Sequence, residues 1–297
     1  MRKSGGIVNS AFDSSSSPLF QETRMLHRRA SLRRLATVML LALFVLQLSG
    51  RPGRAAEGPG LLEWARRLVT GVTPETNVYA SRPTIVTWTG VGGASETRNR
   101  SVCSALVAHL MMQAYGYRPA DFASWLGGRF PRAAGFHDAI AAGRGFTPIL
   151  RIAEIRPDDV LAIKYPPGSH PTGHVLLAAS RPVERRATEP IVPGTVQYEL
   201  SVIDSSHTGH GPTDSRHYAK GKFHSGVGEG LFRLYAGPDG TLTGYSWSVT
   251  KASEVYTPDE RHLVIGRLNG KVKPTGHPGH VDAESGDESG DDDEPGG

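Results

Sequence analysis

The 297-residue chain contains one cysteine, Cys103. No intramolecular disulfide can form, and neither a zinc knuckle nor an iron–sulfur site can be built from thiolates. Cys103 is therefore either inert packing or chemistry. There is no GxxxxGK[ST] phosphate loop, no GxGxxG opening a helix, no GxSxG nucleophile elbow and no HExxH zinc helix. Nucleotide-binding and serine-hydrolase classes lose their usual signatures. No internal repeat is present, and the 36 Gly and 21 Pro follow no fixed period, which excludes collagen-like and coiled-coil architectures. What remains is a chain with 38% hydrophobic and 21% charged residues, enough for one sizeable core with tails.

The charges are segregated. Residues 1–56 carry nine Lys or Arg and two acids, residues 281–297 carry eight acids and no base, and the middle is close to neutral. The pI of about 9.2 reflects mostly the leader, and a nearly neutral domain is not a nucleic-acid binder by charge.

Residues 35–48, LATVMLLALFVLQL, form an uncharged apolar run behind Arg28, Arg29, Arg33 and Arg34 and ahead of Gly50, Pro52, Ala55 and Ala56. That order is a secretory signal, with cleavage expected near Ala55 or Ala56. As a helix, the run would extend about 21 Å against a hydrocarbon core of roughly 30 Å, so a stable membrane span after cleavage is not expected. An uncleaved anchor is the alternative. Met25 begins a leader of normal proportions and is a candidate initiator. No cysteine stands at the end of the run, over 49–56, which excludes a lipid-anchored lipoprotein. The expected compartment is periplasmic or extracellular.

Three regions follow: the leader over 1–56, a folded domain over 57–270, and an acidic tail over 271–297 expected to be disordered. Within the domain, LLEWARRLV at 61–69 suits a short amphipathic helix and TIVTW at 84–88 a strand. In VCSALVAHLMMQAY, apolar residues at 102, 106, 107, 110, 111 and 114 predict a helix, with Ser101 as N-cap and Gly116 just past its end. Segments 122–128 and 136–143 read as short helices. From Pro157 onward, 160–165, 174–179, 195–204, 231–236, 242–249 and 262–268 read as successive strands. Helices first and an antiparallel meander second predict an α+β fold.

Three residues stand out. Cys103 falls in the first turn of its helix, where unpaired amides and the helix dipole favour an anion. His174 opens an apolar strand, and Asp204 closes the next long one, where an acid can orient an imidazole. Each alone has an ordinary structural explanation: a buried thiol, a histidine at a strand end, an acid before a turn.

Together, Cys103 with Ser104 in VCSALV, then DDVLAIKY and GHVLLAA at 159–165 and 173–179, then Asp204 in VIDSS, resemble the papain-like NlpC/P60 and CHAP cysteine peptidases and amidases. The resemblance covers about residues 76–250. Relative to the usual Asp-Cys-Ser-Gly-aromatic pattern, Val102 precedes the cysteine, Ala105 replaces glycine and Leu106 the aromatic, which marks a divergent member.

The resemblance implies a papain-like α+β fold, with the cysteine helix packed on an antiparallel sheet. It also implies amide-bond hydrolysis of a peptide or peptidoglycan-like substrate, cell-wall peptides if the compartment is a bacterial envelope. Cys103 would be the nucleophile, His174 the proton shuttle and Asp204 its orienter, with no cofactor or metal. Oxyanion candidates are the Cys103 backbone amide and Tyr79. The alternative is an inactive secreted binding or structural protein on the same scaffold, in keeping with the altered VCSAL surroundings and the lack of a wall-binding repeat. A second site is also open: His207, His210, His217 and His224 with Asp214 form either a zinc-binding set or a Gly/His-rich loop at the cleft rim.

Overall fold

The structure, a computed structural model, describes residues 59–276; the leader and the acidic residues 277–297 lie outside the described residues. The chain opens with helix α1 (Leu61–Gly71), whose buried Leu61, Trp64, Ala65 and Leu68 recur at the helical period. Three short strands follow: β1 (Asn77–Val78), β2 (Ile85–Thr87) and β3 (Arg98–Arg100). They form a small sheet in the order β1-β3-β2, with β1 parallel to β3.

Helix α2 (Cys103–Tyr115) is apolar on nearly every side and buried accordingly. Gly116 ends it in the left-handed conformation at φ 75°, its amide returning to the Met112 carbonyl. The N-cap expected at Ser101 is one residue off. Val102 occupies that position, no side chain caps the helix, and Ser101 donates instead to the Asn99 side chain at 2.6 Å. The two short helices are α3 (Pro119–Ala123) and α4 (Ala133–Ala141), each beginning about three residues before the expected start. Pro119 sets the start of α3, where its missing N–H costs nothing.

The remaining strands are β4 (Phe146–Pro148), β5 (Val160–Lys164), β6 (Gly173–Ala178), β7 (Val183–Glu184), β8 (Val196–Ser206), β9 (His217–Ala219), β10 (Lys222–Phe223), β11 (Gly226–Ala236), β12 (Leu242–Ser246) and β13 (His262–Leu268). The large sheet is antiparallel in the order β12-β11-β8-β6-β5-β13-β4, with β7 pairing β8. The expected α+β class with antiparallel sheets is therefore observed. The expected simple meander is not complete, because β13 returns beside β5 instead of extending the β12 edge.

Both faces of this sheet are covered. Val160, Ala162, Val175, Leu177 and Ile203 pack with the helices, while Leu161, Ile163, Leu176 and Val202 pack with Phe232, Leu234 and Tyr245 on the other face. This double burial explains why β5 and β6 read as continuous apolar runs. At the C-terminal end, residues 271–276 do not follow the expected disorder. Tyr117 donates to the Val272 carbonyl at 2.8 Å, and the Thr275 amide donates to the Asp121 carboxylate at 3.0 Å. Among the described residues, no helix is long and apolar enough to cross a membrane.

Candidate active site

Cys103 is the first residue of α2, and its position is fixed by a buried polar network just upstream. The Ser205 hydroxyl donates to the Ser101 carbonyl at 2.8 Å, and the Asn99 amide donates to Asn77 Oδ1 at 2.9 Å and to Ser205 Oγ at 3.4 Å. Asn77 in turn accepts from the Val227 amide and donates to the Val227 carbonyl, both at 2.8 Å. Each of these side chains is withdrawn from water, so each needs its partner. The result stitches the start of the cysteine helix to β8 and β11. With no capping side chain, the first amides of α2 keep their donors free of a local competitor.

His174 enters β6 directly after Gly173, at φ 155°, where a Cβ would fall 1.9 Å from the Ile163 carbonyl oxygen. Only glycine lets β5 and β6 approach this closely ahead of the histidine. β6 and β8 are paired at Leu177 with Ile203 and at Ala178 with Val202, and not beyond, toward His174. The strands part there, and the start of α2 meets them at this opening. By the two-residue period His174 shares the face of Leu176 and Ala178, and Asp204 that of Leu200 and Val202, the face opposite the helices, while Cys103 opens a helix of the other layer.

His174 Nε2 lies 2.6 Å from Asp204 Oδ2, which leaves Nδ1 as the ring's other polar atom. The Trp247 ring meets the imidazole edge-on, with centroids 5.1 Å apart. Burial alone would push the imidazole toward neutrality. The neighbouring Cys103 and Asp204 together outweigh it and favour the protonated ring, pushed up to about 10. Cys103 therefore lies near enough to act on the imidazole.

Asp204 is fully buried. Burial favours its neutral form, but the Arg216 guanidinium, His210 and His174 hold its carboxyl well below the usual carboxylate range. Arg216 is equally buried: its Nη2 pairs with Asp204 Oδ1 and its Nη1 reaches Asp214 Oδ2 at 2.8 Å. Its remaining donors go to the Gly226 carbonyl at 2.7 Å and the Asp204 carbonyl at 2.8 Å. His210 donates through Nδ1 to the Trp247 carbonyl at 2.7 Å; its Nε2 sits 3.2 Å from Asp204 Oδ2 without the alignment of a hydrogen bond.

Arg216 and Asp214 lie over a stripe of glycine on β11. Gly228 pairs with Asp204 in the sheet, and a Cβ there would stand 2.6 Å from Arg216 Cγ; one on Gly230 would stand 2.4 Å from Asp214 Oδ2. Arg216 and the supporting role of His210 escaped the sequence reading. The available signal was GVGEG, an alternation of glycines that strips one face of a long strand of its side chains.

No known family profile matches the chain, and no solved structure matches it. An uncharacterized protein of Acanthamoeba polyphaga mimivirus is 30% identical over 222 residues, covering 71% of this chain and 97% of the viral protein. The chain belongs to the family of that viral protein. The shared unit spans nearly the whole of the viral relative, a full domain and not a local motif.

In this member of the mimivirus-protein family, Tyr79 follows β1, whose register beside β3 leads toward Ser101. Its ring lies against His207, centroids 4.4 Å apart, and its amide donates to Ser225 Oγ at 3.1 Å. The four histidines of 207–224 do not gather. His210 faces Asp204 and Trp247, His224 contacts Asn77 at 3.1 Å, and His207 and His217 line a surface cleft with Phe223. Among the described residues, no group of three or more His, Cys, Asp or Glu is arranged to hold a metal ion.

Proposed function

We propose that this protein is an exported cysteine hydrolase that cleaves an amide bond on a papain-like scaffold of the NlpC/P60 kind. The observation that carries the reading is His174 held 2.6 Å from a fully buried, ionised Asp204, with Cys103 as its electrostatic neighbour. An inert buried thiol has no need of a charged partner, and a buried imidazole costs free energy unless a task or a partner holds it. Here the partners are a sulfur on one side and a carboxylate on the other.

In the reaction, the Cys103 thiolate attacks the carbonyl carbon of the amide, and the electrons of the C=O bond move to oxygen. Backbone amides at the uncapped start of α2, with Cys103 its first residue, are the donors for that oxyanion; one such donor is typically worth about 3 kcal/mol. Tyr79 is the side-chain candidate for the same task. Protonated His174 gives its proton to the leaving amine, the C–N bond breaks, and a thioester remains. Water then attacks the thioester, losing a proton to His174, and the acid leaves with Cys103 restored. Asp204 fixes the ring orientation throughout.

The apolar run at 35–48 behind its arginines supports export, and peptides, including cell-wall peptides in a bacterial envelope, are the substrate class that fits the NlpC/P60 resemblance. The test is alkylation of the folded protein by iodoacetamide at pH 7, located by peptide mass spectrometry. Labelling at Cys103, slowed at least about tenfold in His174→Ala, is the expected result. Labelling seen only after denaturation would establish the inert scaffold in its place.

A further inference from the structure

Building on the nucleophile reading of Cys103, we propose that His210 is a positioning residue of the site: a buried cationic imidazole that clamps Asp204 Oδ2 in place for His174. The two groups that meet the His174 ring belong to strands that do not pair. Asp204 is on β8 and Trp247 directly follows β12, with β11 between them in the sheet. His210 crosses that gap. Its Nε2 lies 3.2 Å from Asp204 Oδ2 and its Nδ1 lies 2.7 Å from the Trp247 carbonyl oxygen.

β11 is shaped for this crossing. Gly228, Gly230 and Phe232 share one face by the two-residue period. Gly228 stands opposite Asp204 in the register, and the Phe232 ring meets the Trp247 ring with centroids 5.7 Å apart. Between them, a Cβ on Gly230 would stand 2.8 Å from His210 Cβ, so glycine makes the room that the imidazole fills. The His210 ring is 2% exposed, with Phe232 edge-on at 5.9 Å and Trp247 stacked at 6.0 Å. Its backbone amide donates to Asp214 Oδ2 at 2.8 Å, which holds the loop in place.

The contacts decide where the ring carries hydrogen. The Trp247 carbonyl can only accept, so Nδ1 is a donor. Nε2 faces an ionised carboxylate, which also only accepts, and a bare nitrogen there would set lone pair against lone pair. A ring bearing hydrogen at both nitrogens suits both neighbours. The local charge agrees with it. Arg216 alone faces two carboxylates, Asp204 and Asp214, and a second cation at His210 answers the second of them where an unmatched buried charge is costly. With Oδ1 on Arg216 and Oδ2 between His174 and His210, the Asp204 carboxylate cannot turn without losing a partner.

The test follows iodoacetamide alkylation of Cys103 in the folded full chain at pH 7 and at pH 9.5. At pH 7 the rate depends on the thiolate that His174 and Asp204 support, whereas at pH 9.5 an ordinary thiol, with a pKa of about 8.5, ionises unaided. His210→Phe and His210→Asn, which lose the contact to Asp204, should react about fivefold more slowly than the wild type at pH 7 and within about twofold of it at pH 9.5. His210→Gln, whose terminal amide reaches the place of Nε2, should recover to within about twofold at pH 7. A loss of packing alone would move the rates at both pH values alike, and Gln would not restore them. Where the variants do not fold, the wild type decides: long-range nitrogen–proton NMR at pH 7 should show hydrogen on both ring nitrogens of His210, and a bare Nε2 overturns the clamp. Wild-type rates in His210→Phe, or equal slowing in all three variants, also overturn it and leave the nucleophile reading standing. Resistance of the folded wild type to iodoacetamide overturns that reading, and the clamp with it.

Discussion

Arg216 and Asp204 meet as a fully buried ion pair, and the same carboxylate holds the imidazole of His174 through its second oxygen. The guanidinium is itself shared with Asp214, so one cation lies between two carboxylates. Removing one member of a buried pair strands the others, at roughly 3–5 kcal/mol. Arg216→Met is therefore expected to lose stability on that scale in urea unfolding. Arg216→Lys, which keeps the charge and loses the fork, should retain more stability while still slowing Cys103 alkylation. Wild-type alkylation in a folded Arg216→Lys protein would show that the fork has no part in positioning Asp204.

The glycine stripe under this pair makes a second expectation. A methyl group at Gly228 collides with Arg216 Cγ at 2.6 Å, whereas at Gly128 the nearest atom, the Phe130 carbonyl oxygen, lies 3.8 Å away. Gly228→Ala should cost about 1–3 kcal/mol by overpacking and reduce thiol reactivity. Gly128→Ala should stay within about 1 kcal/mol of the wild type. Thermal and urea unfolding of the two variants side by side decide the matter; equal behaviour would mean that the stripe does not set the seat of Arg216.

The charge state of His174 gives a pH dependence with a definite sign. Its folded value, raised to about 10, lies above the ordinary 6.5. The protonated ring therefore adds stability in full below about pH 6.5, and this contribution is lost as pH rises through about 10. Comparing the wild type with His174→Gln by urea unfolding, the stability difference should shrink steadily from pH 6.5 to 10. Because the sulfur is one source of the shift, the same comparison in a Cys103→Ala background should show a weaker slope. A difference that stays flat across this range would rule out a charged ring in the resting protein.

Parts of this molecule were legible in the order of its residues. The period of α1 and α2, the glycine closing α2, and the apolar runs of β5, β6 and β13 are local properties, and they appear where the pattern puts them. The short strands β1, β3 and β4 were not legible, because two or three residues carry no period and their pairing partners are remote. Nor was the cap of α2. Ser101 has the right side chain for an N-cap, but Asn99 and Ser205 compete for its polar groups. Order along the chain singled out Cys103, His174 and Asp204, while their grouping arises where β6 and β8 part.

The sequence by itself determined which segments can bury an apolar face, that the chain's one thiol stands at Cys103, and that net charge of opposite sign gathers at the two ends. Tertiary structure alone decided that Arg216 and His210, drawn from a loop that reads as polar and exposed, lie in the interior against Asp204. The physical reason is that a buried charge is tolerated only beside its counter-charge. That pairing joins residues on different strands and loops, over a glycine surface that no local period reveals.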